Sequence, residues 1–261
     1  MKEGLTLEEM AAEITRQSRL KEDYLVDTRS LQMEPYDSQV YLHMFDGNTE
    51  PVEPMQVNTI AHRQIGTHLK IPAPYYDRML TEKPELLAAN VNTWLRHSPS
   101  KRLLRTMGGT ARAFLSNRYR RIDNMEIATA VLPIIGQMEG ARFESCQITD
   151  SRMYMKVVNT RLEAEVVPGD IVQAGVIISN SETGMGAVSI QPLVYRLVCS
   201  NGMIVNDAQT RRNHVGRVND MEESFQLYSE KTLAADDRAF ILKIQDTVRA
   251  AVEEARFAQV V

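Results

Sequence analysis

The sequence predicts an α+β fold with helices in the first half, an antiparallel β-meander of about five strands in the second half, and a C-terminal helix or helix pair. Apolar residues recur every three or four positions across residues 58–97, which is typical of amphipathic helices. After Gly140 the pattern changes to strand-like runs separated by turn residues. Because we find no internal repeat and no linker composition, residues 1–261 are predicted to form a single domain. An N-terminal helix is expected within residues 1–22 and a C-terminal helical segment within residues 220–257.

Residue types that stabilise helix ends mark where the helices begin. The string "TLEE" at residues 6–9 has the spacing of a capping box. Asn58 is predicted to be the N-cap of the next helix. Pro84 suits the first turn of a later helix, where the missing N–H of proline costs little. The string "DNME" at residues 123–126 predicts a further capping box and a helix start.

Strands are predicted from alternating or continuous apolar runs bounded by turn residues. "DYLVDTRSLQM" is predicted to be one strand, and "VYLHMF" another that ends in a turn at Asp46-Gly47. Gly108-Gly109 predicts a β-hairpin between two extended segments, and Asn201-Gly202 predicts a second one late in the meander. The last helical stretch is either one helix or two helices broken near Asp236-Asp237.

Several classes of site are excluded by the motifs that the chain lacks. It has no GxxxxGK[ST] loop, no GxSxG elbow and no metal-ligand spacing among its five histidines, so we expect no enzyme activity, no cofactor and no metal. Cys146 and Cys199 stand far apart and are predicted to be buried strand residues in a reducing compartment. With no apolar span and no secretory h-region, we expect a cytoplasmic protein of a bacterial or phage-infected cell, without membrane contact.

The charge is strongly segregated along the chain. Residues 86–122 contain no Asp or Glu but eight Lys or Arg, whereas residues 1–54 hold twelve acids against five bases. Because the net charge of the chain is −4 and that of residues 86–122 is +8, the other residues together carry −12. Such asymmetry indicates a surface that faces a polyanion, or a docking surface within or between subunits.

The basic residues on and around the predicted hairpin are the candidate site. Bases on both strands are expected to follow a phosphate backbone, and Tyr119 is expected to stack on a base. Phe114 and Trp94 are predicted to be core residues instead. A second basic cluster, "RRNHVGR", is predicted to lie in a loop. The predicted nucleic-acid-binding residues are Lys101, Arg102, Arg105, Arg112, Arg118, Tyr119, Arg120, Arg121, Arg211 and Arg212.

Two other interpretations of the charge pattern stay open at this point. The arginines can instead pair with Asp123 or with acidic helices, in the same chain or in another subunit, which would make this a structural or interaction protein. The acids Glu163, Glu165 and Asp170 raise a third interpretation, a metal-dependent nuclease, although they lack the lysine that such a site is expected to have nearby on the same strand. Clustered bases without clustered acids favour binding over cleavage.

Three segments carry a resemblance to a known family. "FLSNRYRRIDNMEI", the upstream "NVNTWL" and the later "YRLVCSNGMIV" are similar to the phage- and plasmid-associated bacterial family catalogued as domain of unknown function nine-hundred-and-thirty-two. The resemblance runs from about Val57 to Val215 and implies a mobile-element setting. By analogy it also implies a remote similarity to single-strand annealing proteins, which form rings with a basic groove. The expected function is therefore binding of single-stranded DNA or RNA by a homo-oligomer in phage or plasmid recombination, repair or replication.

Overall fold

The structure is a computed structural model that describes residues 4–45, 53–197, 202–204, 210–212 and 230–251. The chain forms two compact units. We call Arg16–Tyr119 the hairpin unit, and Met1–Thr15 together with Arg120–Val261 the meander unit. The prediction of one domain over residues 1–261 stays a prediction, and each unit is described by itself.

The hairpin unit is a six-stranded sheet with three helices. Its strand order is β1-β5-β6-β4-β3-β2, and all pairs are antiparallel except β4 with β6. The strands are β1 (Lys21–Asp27), β2 (Leu31–Tyr36), β3 (Gln39–Met44), β4 (Met55–Val57), β5 (Lys101–Met107) and β6 (Thr110–Ser116), and the helices are α2 (Thr59–His68), α3 (Ala73–Glu82) and α4 (Pro84–His97).

This sheet must curve, because its two edge strands are joined by very few residues. Only the 3-10 helix Thr28–Ser30 separates β1 from β2, so the connection spans at most roughly 14 Å. The edges of a flat six-stranded sheet would stand roughly 24 Å apart. The polar edge of β2 is further covered by α4, where Asn92 accepts from the N–H of Met33 (2.7 Å) and donates to its carbonyl (2.8 Å).

Three sequence signals in the hairpin unit are confirmed. Asn58 caps α2 by accepting a hydrogen bond from the N–H of Ala61 at 2.8 Å. Pro84 is the first residue of α4. Gly108 and Gly109 join β5 to β6 with φ of 55° and 77°, the left-handed values that a tight hairpin requires and that glycine adopts without strain.

The meander unit is an antiparallel sheet with helices on one face. Its strand order is β11-β10-β9-β8-β7, with β12 pairing to β10. The elements are α1 (Leu7–Leu20, which enters the hairpin unit at Arg16), α5 (Asn124–Gly136), β7 (Ala141–Ile148), β8 (Met153–Val167), β9 (Asp170–Asn180), β10 (Val188–Arg196), β11 (Gly202–Ile204), β12 (Thr210–Arg212) and α6 (Glu230–Ala251).

The core of the meander unit lies between the sheet and its helices. Val131 of α5 and Ile244 of α6 pack with Met155, Ile178 and Ile190 of the strands, and all five side chains are buried. Helix α6 runs without a break through Asp236-Asp237. Within the described residues, the C-terminal segment is therefore one helix rather than two. At the N-terminus the capping box is confirmed, since the N–H of Thr6 donates to Glu9 (2.9 Å) and the N–H of Glu9 donates to Thr6 (3.2 Å).

The predicted α+β class is confirmed, and the corrections are local. "DYLVDTRSLQM" forms two strands rather than one, because Asp27 accepts a hydrogen bond from the N–H of Arg29 and starts the 3-10 helix. The short parallel strand β4 was not predicted. Thr210–Arg212 forms β12 where a loop was expected. The predicted features at Asp46-Gly47, Cys199 and Ser200-Asn201, and in residues 213–229 and 252–257, lie outside the described residues.

Two further observations concern the free cysteine and the length of the helices. Cys146 is buried as predicted, and burial raises the pKa of its thiol. Within the described parts of the chain, no helix is both long and apolar enough to cross a membrane.

Candidate nucleic-acid interface

The structure divides the ten predicted binding residues between the two units. Six of them lie in the hairpin unit on or after β5 and β6, and the other four lie in the meander unit. Their environments differ widely, since some are buried and others are exposed. Those of the hairpin unit are Lys101, Arg102, Arg105, Arg112, Arg118 and Tyr119, and those of the meander unit are Arg120, Arg121, Arg211 and Arg212.

Arg105 is not a surface residue, which corrects its predicted role. It lies directly opposite Asp23 in the β1–β5 register, and its side chain is fully buried. Its Nε donates to Asp23 Oδ1 at 2.7 Å and its Nη2 donates to Oδ2 at 3.1 Å, a bidentate pair. The guanidinium therefore joins two strands and has no face left for a phosphate.

Tyr119 and Arg112 are also covered, contrary to the sequence prediction. Tyr119 is 5% exposed and packs with Leu103, Ala113 and Leu115, so its ring is not available to stack on a base. Arg112 is 6% exposed. The alternation of charged and aromatic residues in "NRYRR" therefore does not reflect one open face.

In the meander unit, two predicted residues pair with carboxylates of α6. Arg120 Nη2 lies 2.6 Å from Asp237 Oδ2, and Arg212 forms ion pairs with Asp236 and with Asp237. The Arg212 guanidinium also lies over the ring of Phe240, 5.0 Å from its centroid. These arginines fit the interpretation that the basic residues pair with carboxylates of a helix, here within one chain, although α6 as a whole carries four acids and four bases. Arg121 and Arg211 are exposed.

In the hairpin unit, a set of hydrogen bonds brings bases together from three segments. The hydroxyl of Thr28 donates to the carbonyl of Leu95 and accepts from the N–H of Ser100, both at 3.0 Å. The N–H of Thr28 also donates to the carbonyl of Ser100. Each of these three residues is followed in the sequence by a base, so the bonds place Arg29, Arg96 and Lys101 at one end of the unit.

Two more bases reach the same end from the β-hairpin. Arg102 lies opposite Ser116 in the β5–β6 register, and the hydroxyl of Ser116 accepts a hydrogen bond from the N–H of Arg118 at 3.2 Å. With Asp27 opposite Lys101, this end carries five bases and one acid. We call it the basic end, and it consists of Arg29, Arg96, Lys101, Arg102 and Arg118.

Arg102 is the most unusual residue of the basic end. Its guanidinium lies over the ring of Phe114, with 5.1 Å from carbon to centroid, and Phe114 is buried as predicted. Burial lowers the pKa of Arg102, although arginine stays charged at neutral pH. Its Nε is buried without a hydrogen bond, and no carboxylate among the described residues pairs with it. A desolvated guanidinium without an anion is costly, which is typical of functional sites.

The neighbours of Arg102 show the effect of its charge. His68 lies with its ring 5.5 Å from that of Phe114 and its Nε2 3.2 Å from the hydroxyl of Ser100. Burial and then the positive charge of Arg102 lower the pKa of His68 to about 4. Across the basic end, hydrogen bonds from Arg29 lower the pKa of Asp27 to about 2, so Asp27 is ionised and already engaged at neutral pH.

An exposed aromatic residue lies on the last turns of α4, next to the basic end. Trp94 is 44% exposed, which contradicts its predicted core position. Its indole N–H donates to Asn90 at 3.1 Å, and the ring of His97 meets it edge-on at 5.6 Å. The ring that can stack on a base is therefore that of Trp94 rather than that of Tyr119. Neither Arg29 nor Trp94 was assigned to the site from sequence. Only the tertiary hydrogen bonds of Thr28 show that the C-terminal end of α4 lies next to the segment that carries Arg29.

The acids considered for a nuclease do not converge. Glu163 lies opposite Gln173, Glu165 accepts from the N–H of Gly169 at 2.7 Å, and Asp170 pairs with Arg196 at 3.2 Å. In the described ranges no three His, Cys, Asp or Glu side chains group as a metal site would require.

Comparison with family models gives one match, over residues 113–256, which is more than half of the chain. The chain belongs to the family described as Domain of unknown function (DUF932). The family predicted from the motifs is thus confirmed, with the match displaced toward the C-terminus relative to the expected range of 57–215. Neither the curated proteins nor the solved structures contain a match to the chain.

The DUF932 match covers the candidate residues of the meander unit but only part of the basic end. It includes Arg118 and all four candidate residues of the meander unit. The bases of the basic end that precede it are Arg29, Arg96, Lys101 and Arg102.

Proposed function

We propose that this DUF932 protein binds single-stranded nucleic acid without catalysing a reaction, and that the basic end of the hairpin unit holds the phosphate backbone. One observation carries the proposal. Arg102 is a desolvated guanidinium with no carboxylate partner among the described residues, and the other four bases lie at the same end of the hairpin unit. A phosphate is the anion that fits this arrangement, because guanidinium binds phosphate oxygens in bidentate geometry.

The mechanism is neutralisation of the backbone combined with stacking. The exposed bases Arg29, Arg96, Lys101 and Arg118 contact successive phosphates, and the exposed ring of Trp94 stacks on one base. Neither contact reads a base edge, so binding is expected to tolerate any sequence. Because each neutralised phosphate releases counterions, the affinity falls steeply with salt.

The biological setting that we propose follows from the resemblance to phage- and plasmid-associated proteins. Recombination, repair and replication of mobile elements all expose single strands that need a sequence-tolerant binder. Binding as a homo-oligomer would extend the site along the strand and increase its cooperativity. RNA presents the same backbone and unstacked bases, so DNA and RNA strands of equal length should be compared directly.

The test is a titration of fluorescently labelled oligo(dT) followed by anisotropy at several salt concentrations. We expect wild-type binding at about 50 mM salt to weaken by at least tenfold at about 200 mM salt. Arg102→Gln should weaken binding about tenfold, since it removes a charge-assisted phosphate contact. Arg78→Gln is the matched control, because Arg78 is an exposed arginine of the same unit that pairs with Glu82 on α3. No binding at low salt, or equal losses for both variants, would overturn the proposal.

A second function is favoured by the pairing of Arg120 and Arg212 with α6. If the same kind of pairing also occurs between subunits, the protein acts as a structural or interaction module. Light scattering of the full chain and of a chain lacking residues 1–22 tests docking through the N-terminal helix α1, which these residues contain. A smaller oligomer after the deletion supports docking through that helix, and an unchanged mass contradicts it.

A further inference from the structure

A cleft on the meander unit, separate from the residues assigned above, is lined by polar groups of one turn and two strands. The turn that joins β7 to β8 forms one side of it, and the loop after β9 forms the other. Its volume is about 250 Å³. All of it lies within the region that matches DUF932. We call it the turn cleft, and its lining residues are Gln147, Thr149, Ser151, Arg152, Tyr154 and Met185.

Arg152 supplies the positive charge of the turn cleft. Within the described residues its guanidinium makes no ion pair and no hydrogen bond, even though Asp150 stands in the same turn. Its backbone is fixed, since its N–H donates to Thr149 Oγ1 at 3.1 Å and its carbonyl accepts from the N–H of Thr149 at 2.9 Å. An exposed arginine on a rigid turn, without a carboxylate partner, is suited to hold an oxyanion.

Gly186 lets the guanidinium lie close to the backbone of the opposite loop. A Cβ at Gly186 would stand 3.1 Å from Arg152 Nη2, which is closer than an ordinary van der Waals contact. The loop is itself held in place, because Ser181 Oγ accepts from the N–H of Met185 at 3.0 Å. The guanidinium of Arg152 thus lies against the backbone of the opposite loop.

Hydroxyl groups complete a donor set around Arg152. Thr149 Oγ1 donates to the carbonyl of Arg152 at 3.2 Å and thereby holds the turn, and Ser151 Oγ lies 3.1 Å from it. Tyr154 stands on β8 directly opposite Gln147 of β7, so a phenol and an amide line the floor. Burial raises the pKa of Tyr154, which keeps its phenol protonated and able to donate. Met185, at 48% exposed, gives the cleft one apolar wall.

We infer that the turn cleft binds a small phosphomonoester, with its phosphate on Arg152 and the hydroxyls of Ser151 and Tyr154 and its organic part between Met185 and the ring of Tyr154. The number of donors favours a phosphate over a carboxylate, because a phosphate monoester offers three free oxygens and a carboxylate two. The volume lies below the usual range of drug-sized sites, roughly 300–1,000 Å³, so the organic part is small. This inference does not depend on the nucleic-acid proposal, whose residues lie elsewhere.

The probe is inorganic phosphate, and the readout is the methyl signal of Met185 in protein labelled with ¹³C at methionine methyl groups. Met185→Leu assigns the signal among the 14 methionines. We expect a saturable shift of this signal with phosphate, and none with sodium chloride at the same ionic strength. Arg152→Gln should weaken the response at least about tenfold, as expected for loss of a charge-assisted contact. Arg249→Gln, an exposed arginine of α6, should leave it unchanged.

Gly186→Ala separates a positioned guanidinium from a merely charged surface. It keeps every charge but makes the end of the Arg152 side chain shift by a few tenths of an ångström, so a built site loses about threefold in affinity. A surface that attracts phosphate only by its charge keeps its affinity, and that outcome overturns the inference. An unsaturable shift, or an equal response in Arg152→Gln, overturns it as well. Arg102→Gln must leave phosphate binding here intact, so failure at the basic end and failure at the turn cleft are distinguishable.

Discussion

The basic end of the hairpin unit and the arginines beside α6 in the meander unit use the same side chain in opposite ways. Beside α6, Arg120 and Arg212 pair with Asp236 and Asp237. At the basic end, Arg102 is partly buried and desolvated, yet it pairs with no carboxylate among the described residues. Paired arginines of the first kind are explained by the fold itself, and the one of the second kind is what supports the proposed phosphate site.

The difference teaches that a run of bases in a sequence is not a binding surface by itself. In "NRYRR", Tyr119 is buried and Arg120 pairs with Asp237, more than 110 residues later in the chain. The arginines on either side of this pair, Arg118 and Arg121, are exposed. Conversely, Arg29 joins the basic end from a mixed-charge segment. Which bases pair with carboxylates is decided by the tertiary structure and not by the run of bases in the sequence.

The largest effect is expected at Arg105, the buried counterpart of Arg102 on the same strand. Asp23→Asn leaves its guanidinium charged and without its partner inside the sheet, so the free energy of unfolding should fall by about 3–5 kcal/mol. Urea denaturation followed by circular dichroism measures the loss. Glu82→Gln breaks the exposed Arg78–Glu82 pair and should cost less than about 1 kcal/mol. Equal costs for the two variants would contradict the distinction between buried and exposed pairs.

Much of the architecture was predictable from sequence because it depends on local chemistry. The capping box at Thr6, the N-cap at Asn58 and the Gly108-Gly109 turn each act within four residues, and all three are present. The charge of the site was predictable for the same reason, as Lys101, Arg102 and Arg118 lie in the acid-free segment. The prediction that Arg105 binds nucleic acid was wrong because it depends on long-range pairing. Asp23 lies opposite Arg105 only once β1 pairs with β5.

An intermediate effect is expected on acid stability, through His62 and His68. Both histidines have a pKa lowered to about 4 by burial, so the unfolded chain binds their protons below pH 6.5 before the folded chain does. Their contribution to stability is full above pH 6.5 and is lost as the pH falls toward 4. The slope is at most about 1.4 kcal/mol per pH unit for each histidine. Urea denaturation at several pH values measures it, and His62→Gln should make the profile flatter.

The two histidines also test the charge of the basic end, because Arg102 contributes to the lowered pKa of His68 but not to that of His62. In Arg102→Gln, the pKa of His68 should rise, since a positive charge has been removed, while that of His62 stays unchanged. Histidine ring signals followed by NMR against pH give both values in one experiment. Equal shifts at the two rings would indicate a general loosening of the unit instead of a charge effect at the basic end.

The smallest effect is expected beside α6, and its smallness is informative. Asp237→Asn removes one carboxylate from Arg120 and Arg212, but Asp236 still pairs with Arg212, and the pairs are partly exposed. The free energy of unfolding should therefore fall by no more than about 1 kcal/mol. Affinity for oligo(dT) should not decrease, because this aspartate neutralises arginines outside the basic end. If Asp237→Asn instead increases affinity about tenfold, the arginines beside α6 are themselves a masked nucleic-acid site, and the distinction between paired and unpaired arginines no longer identifies where the strand binds.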